Sequence, residues 1–357
     1  MLRYLVIKEQ LMTVISKMGP GEKLMDRCSL CKTLDTTRTT LDKAIRELTE
    51  QGILTSKKGS GTYVAGILEG SVLGENNWCV IIPDISESIY STLVRGIESV
   101  AEKRKANVIL CNSDNDYSKQ EKYIRRLMVS GVSGFIIVPV ITTNPLENLN
   151  LYSNLIKANV PFVFCNRSVD GITAPVVTSN DFYGGYIATK HLLSQGYRRI
   201  AYIAQHKYRT SMDRCQGYMT SLLENGIEIN RQYILIPSDP ETPNDCYEKA
   251  GKMIDAGEVD AFFCFNDQIA FKMIEIIKKR NKIIPDDIGV IGYDNLEACN
   301  SQSPALTSIS YKTTEIGQKA AEVLYHITAY KKLPSMFEYY LYQPEIVIRE
   351  SCRREKY

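Results

Sequence analysis

The residues with chemistry to offer fall into three groups. The first is a run of hydroxyl and basic side chains, Thr37, Arg38, Thr39, Thr40 and Lys43, followed by Lys57 and Lys58 beside the glycines of Gly59-Ser60-Gly61. Guanidinium and ammonium groups next to short hydroxyls suit a polyanion: they supply charge and donors to phosphate, and an arginine is long enough to reach a guanine edge. The second group follows apolar runs: Asp84 and Ser86 with Tyr90 just beyond, then Asn166-Arg167, Asn266-Asp267 and Asp294-Asn295. Carboxylates, amides and a guanidinium beside an aromatic ring match the hydroxyls and flat face of a polyol. The competing reading is that Asp and Asn after strands cap the helices that follow. The third group is Cys28-x-x-Cys31. A structural zinc site takes four ligands and no second Cys-x-x-Cys or histidine pair lies nearby, so semi-buried helix thiols and no metal are expected.

Catalysis is poorly provided for. There are only three histidines, His191, His206 and His326, and no phosphate loop, nucleophile elbow, zinc-protease helix or dinucleotide fingerprint. A non-enzymatic role without a cofactor is expected. The longest apolar runs, such as residues 134–141, are strand-sized, so no membrane insertion is expected. Ten scattered cysteines and an opening that lacks the order of a signal peptide favour reduced thiols in a cytoplasm.

The elements that must position these groups divide the chain of 357 residues into a small basic unit and a large near-neutral one. Residues 1–66 hold 11 Lys and Arg against 7 Asp and Glu, and the rest hold 32 against 34. Residues 67–77, rich in glycine and without period, read as a linker. Within the basic unit, residues 4–17 form a helical face ended by Gly19-Pro20-Gly21, and Asp26 caps a second helix from Arg27 to about Leu34. Thr37 caps a third that turns Leu41, Ala44, Ile45 and Leu48 inward and stops at Gly52. Two short strands then flank the glycine turn. Three helices and a hairpin make a winged helix-turn-helix, whose third helix would lead into a DNA major groove. Arg27 on the second helix and Ser60 in the turn complete the candidate contacts to double-stranded DNA. From residue 78 onward, eight apolar runs alternate with amphipathic stretches, the pattern of a parallel α/β fold. Eight strands divide into two doubly wound lobes, near 78–178 and 179–306, with ligands expected beyond the strands' carboxyl ends.

Residues 3–65 resemble the GntR-type winged-helix domain through Gly21-x-x-Leu24, Leu30, Thr37-Arg38-x-Thr40, Ala44, Leu48, Gly52 and Gly59-x-Gly61-Thr62-Tyr63-Val64. The chain departs from that pattern at Met25-Asp26, where the family has Pro-Ser, and at Cys28 and Asp42, where it often has Arg. Residues 78–351 are similar to the effector domain of LacI/GalR regulators, a periplasmic-binding-protein-like fold. The match runs through Ile82-Pro83-Asp84-Ile85, Gly184-Gly185, Arg214-x-x-Gly217-Tyr218, Phe265-Asn266-Asp267 and Pro285 to Asp294. This resemblance implies that Arg214, Asn266 and Asp294 contact an effector, with Tyr90 stacking on it. Asn166 stands where many members have Asp. The resemblance further implies lobe crossings near 177, 306 and 336, so that 307–336 joins the first lobe and 337–357 the second. It also implies a homodimer.

The combined head and body resemble regulators of the arabinose-repressor type. The expected function is a sugar-responsive transcriptional repressor acting on an operator. The alternatives are an activator, a regulator of a non-sugar metabolite, and a small-molecule binding protein that does not touch DNA.

Overall fold

The structure, a computed structural model, describes residues 3–15, 18–19, 21–50, 53–57, 59–64, 76–142, 144–204, 208–237, 244–330 and 338–353. The head comprises α1 (Arg3–Ile15), α2 (Arg27–Thr33), α3 (Arg38–Glu50), β1 (Leu54–Lys57) and β2 (Gly61–Val64). Leu11, Leu30, Leu41, Ala44 and Leu48 are fully buried in one apolar core, as the helical spacing of α3 dictates. Asp26 caps α2 by accepting from the amides of Cys28 and Ser29 at 2.9 and 3.0 Å. The strands pair antiparallel from Leu54↔Val64 to Lys57↔Gly61, across a turn where Gly59 has φ 76°. A bridge from Lys23 to Tyr63 adds a third extended segment beside the hairpin. Helix α1 ends earlier than expected, at Ile15. Pro20, Gly52 and residues 65–75, and with them most of the expected linker, lie outside the described residues.

The body runs β3 (Asn77–Ile82), α4 (Ser88–Lys103), β4 (Asn107–Asn112), α5 (Tyr117–Met128), β5 (Gly134–Ile137), α6 (Pro145–Lys157), β6 (Phe162–Cys165) and β7 (Val176–Ser179). It continues through α7 (Asp181–Ser194), β8 (Ile200–Ile203), α8 (Arg209–Glu224), β9 (Ile234–Leu235), α9 (Asn244–Asp255), β10 (Ala261–Cys264), α10 (Asp267–Lys278) and β11 (Gly289–Tyr293). The last elements are β12 (Thr307–Ser310), α11 (Thr313–Tyr330), β13 (Tyr339–Tyr342) and β14 (Glu345–Val347). Two six-stranded sheets result, ordered β4-β3-β5-β6-β7-β13 and β9-β8-β10-β11-β12-β14. All pairs are parallel except β12–β14. In each sheet the order reverses at its first strand, which opens a crevice at the carboxyl ends.

The central strands β5, β6, β8, β10 and β11 are buried along their whole length, because helices cover both sheet faces. One apolar cluster runs unbroken from Trp78 and Ile97 in the first lobe to Tyr202, Tyr293 and Cys352 in the second, so the lobes share a core at their junction.

The eight expected strands are present, and the sheets add β7, β12, β13 and β14. The crossings fall later in the chain than expected. β7 runs to Ser179, and the Asn180 amide then donates to Tyr342. Thr307–Ser310 pairs with β11 and so remains in the second sheet, and Tyr339–Tyr342 pairs with β7 in the first. The second and third crossings therefore follow Ser310 and Tyr342 rather than 306 and 336, because backbone pairing holds those segments.

Candidate functional site

Two groups of polar side chains stand out, one on the head and one between the lobes. On the head, Thr37 Oγ1 accepts from the Thr40 amide at 3.4 Å and lies 2.9 Å from Thr40 Oγ1, which fixes the first turn of α3. Because Leu41, Ala44 and Ile45 take the inner face, Arg38, Thr39 and Lys43 are left exposed. The Arg38 side chain is 75% exposed, with Nε 3.9 Å from Asp42. The Lys43 ammonium rests 3.9 Å above the Tyr4 ring, against α1. Lys57 lies 5.4 Å over the Tyr63 ring, and Ser60 bonds the Tyr63 hydroxyl at 2.5 Å. Lys58 lies outside the described residues.

Arg27 is already engaged. Its Nε donates to Asp42 at 2.9 Å and its Nη2 to Thr62 at 3.0 Å, tying α2 to α3 and to the hairpin. Asp42, absent from the sequence candidates, thus anchors one arginine and stands near another. Cys28 is exposed and Cys31 half-buried, because α2 turns Leu30 inward rather than either thiol. The expected semi-buried state holds for Cys31 alone.

Between the lobes, the first lobe brings Tyr90 and Arg167 and the second brings Arg214 and Asp294. Tyr90, at the start of α4, is buried and accepts from Arg167 Nη2 at 2.9 Å. The Arg167 guanidinium stacks 4.9 Å over the ring of Tyr208 from the other lobe. Arg214 on α8 donates from Nε to Asp181 at 2.7 Å and from Nη1 to the Phe265 carbonyl at 2.5 Å, and lies 3.4 Å over the Tyr293 ring. Its placement depends on close contact of α7 with α8: a Cβ on Gly185 would stand 2.0 Å from the Arg214 carbonyl oxygen, and one on Gly217 2.0 Å from that of Phe182. Asp294 has φ 107°, a backbone conformation that side chains disfavour and that concentrates at functional sites.

Burial governs the charges here. It lifts the Asp294 carboxyl well above the usual carboxylate range, with Arg214 pulling the other way. It raises Asp181 as well, despite the guanidinium beside it, and pushes the Tyr90 phenol up to about 12. For Arg214, burial opposes the charge, but the Asp181 carboxylate outweighs it and the group stays protonated.

The remaining sequence candidates are placed differently. The Ser86 hydroxyl is exposed and donates to Asp84 at 2.7 Å, a local turn. Asn266 caps α10, its Oδ1 accepting from the Ile269 amide at 3.0 Å, so the capping reading applies to it. Asn166 has φ 62°, and its amide and carbonyl are held by Val177 and Thr178. Asn166 and Arg167 line a cavity of about 730 Å³ that Tyr90, Arg214, Asn266 and Asp294 do not reach.

Sequence reasoning missed Asp181, Tyr208 and Asp267. Asp267 accepts from Ser308, Leu296 and Cys299, holding β12 and the turn after Asp294. The Asn266-Asp267 pair was legible, but Asp181 lies 33 residues from Arg214 and nothing local marks it.

Comparison with known proteins agrees with this division. Residues 75–337 match the family described as periplasmic binding proteins and sugar binding domain of the LacI family, and residues 3–64 match bacterial regulatory proteins of the gntR family. An arabinose metabolism transcriptional repressor from Geobacillus stearothermophilus is 26% identical over 356 residues, 98% of each chain. An HTH-type transcriptional repressor PurR from Vibrio parahaemolyticus is 30% identical over 280 residues, 77% of this chain and 80% of that one. A solved structure of a LacI family transcriptional regulator from Enterococcus faecium with bound ribose is 28% identical with a TM-score of 0.63, covering 77% of this chain and 98% of that one.

Proposed function

The chain belongs to the family of periplasmic binding proteins and LacI sugar-binding domains, and on that premise we propose that it is a sugar-responsive transcriptional repressor. The observation that carries the reading is the meeting of Tyr90 and Arg167 with Tyr208, Arg214 and Asp294 across two lobes, in a chain that also bears a winged helix. The arabinose repressor and the ribose-bound regulator support a sugar as the ligand.

The division of labour follows from the geometry. Arg38, Thr39, Thr40 and Lys43 on α3, with Lys57 and Ser60 on the hairpin, face the operator, and Arg27 holds that surface in shape. A sugar touching both lobes binds the closed form more tightly than the open one and so shifts the population toward it. Closure then reorients the heads of a homodimer relative to two half-sites and releases DNA.

Thermal unfolding of the full chain against neutral pentoses, hexoses, disaccharides, sugar phosphates and nucleobases tests this. A ligand at 100 times its Kd adds about 2.7 kcal/mol. The expected result is one stabilising sugar that also dissociates operator DNA in an anisotropy titration. Stabilisation by a nucleobase alone would transfer the sensor to a different ligand class, and a sugar that tightens DNA binding would make the protein a corepressed regulator.

A further inference from the structure

Arg167 stands between two spaces. Its Nη2 bonds Tyr90 at 2.9 Å, within the inter-lobe cluster, while the residue also lines the chamber of about 730 Å³ that Tyr90 and Asp294 do not touch. Both lobes wall this chamber: Asp170 and Tyr339 from the first, Arg209, Asp213 and Gln216 from the second.

The charges in the wall are matched. Arg209 bonds Asp170 across the lobes at 2.7 Å and lies 3.6 Å from Asp213 on its own helix. Asp181 is held by Arg214. An incoming phosphate would face three carboxylates whose guanidiniums are already engaged. What remains open is hydrogen-bonding capacity: Arg167 Nη1, Asn148 Oδ1 and Ser179 Oγ are buried atoms without a partner, on residues that line the chamber. Asn148 and Ser179 are each 3% exposed. Buried polar atoms of this kind call for a polar occupant. The rings of Tyr208 and Tyr339 supply apolar faces beside them. Spare donors and acceptors, aromatic faces and balanced charge describe a seat for sugar hydroxyls.

We propose that the effector is a neutral saccharide of at least two rings, one in the Tyr90–Asp294 cluster and the next in this chamber, with Arg167 between them. The proposal rests on the sugar-responsive reading and narrows it. Because the chamber has walls from both lobes, the second ring adds to the preference for the closed form.

Calorimetric titration of the full chain with three matched pairs tests it: arabinose and α-1,5-arabinobiose, xylose and xylobiose, glucose and cellobiose. In the pair that binds, the disaccharide is expected to bind about tenfold tighter than its monosaccharide. Gln216→Ala and Tyr339→Ala, both outside the Tyr90–Asp294 cluster, are expected to erase that advantage and leave the monosaccharide's affinity in place. A monosaccharide as tight as its disaccharide, or variants that weaken both equally, would overturn the two-ring seat while the sugar reading stands. Binding by none of the six would overturn both.

Discussion

Arg38 and Arg214 carry the same guanidinium into opposite surroundings. Arg38 is 75% exposed and its nearest carboxylate, Asp42, stands 3.9 Å away. Arg214 is 6% exposed, bonded to Asp181 at 2.7 Å and stacked on Tyr293. An exposed arginine keeps its donors for a polyanion arriving from water, and its attraction is screened by salt. A buried one has spent its donors on the protein and acts on a ligand through position and field. Recognition of DNA and recognition of a small ligand thus use one side chain in two regimes.

Asp181→Ala attacks the buried side of that contrast. It strands a desolvated guanidinium, and the expected cost is about 3–5 kcal/mol of folding stability. Urea unfolding of the full chain measures it. A loss no greater than that of a surface ion pair would erase the distinction.

Arg38→Ala attacks the exposed side, with an expected loss of about 1–3 kcal/mol in operator binding and no change in unfolding midpoint. Wild-type DNA affinity should also fall steeply with salt. An Arg38 variant that unfolds more easily but binds DNA normally would reverse its assignment.

Protonation sharpens the contrast further and with a smaller effect. Burial places the folded-state pKa of Asp294 above its ordinary 3.8. Between those two values the folded chain holds a proton that the unfolded chain has lost. The stability from this group therefore grows as pH falls through the folded value, is complete below 3.8, and is lost above. Asp294→Asn should flatten part of the rise in melting temperature between neutral pH and about pH 4.5. Asp181 and Asp267 are also raised by burial and remain in both proteins, so the difference between the two curves is the measurement. Superimposable curves would show that Asp294 is not held in an apolar setting.

Much of the fold was legible because the sequence states it locally. Gly59 and Gly61 mark the hairpin, the spacing of Leu41, Ala44 and Leu48 marks α3, and apolar runs such as Phe162–Cys165 mark buried strands. Strand β12 was not legible. Its Thr307 and Ser308 look like loop residues, yet both are fully buried because Ser351, Arg349 and Asp267 satisfy them from distant points in the chain. Helix α11 carried a readable stripe, Ile316, Ala320, Leu324 and Ile327, that the reading passed over. In the cleft, Arg214 and Asp294 came from family resemblance and Arg167 from its place after a strand. The partners Asp181 and Tyr208 are defined only by tertiary contact.

The C-terminal stretch gives each sheet its outer strand, β13 for the first and β14 for the second. Ser351 then bonds back to Thr307 and Val290. Neither lobe can be completed while the ribosome still holds those residues, although most of the first lobe has emerged long before. The two halves therefore finish maturing together rather than in chain order, and until then β7 and β12 are open edges of the kind that pair with neighbouring chains. A premature stop codon just before β13 would leave both lobes unfinished instead of sparing one.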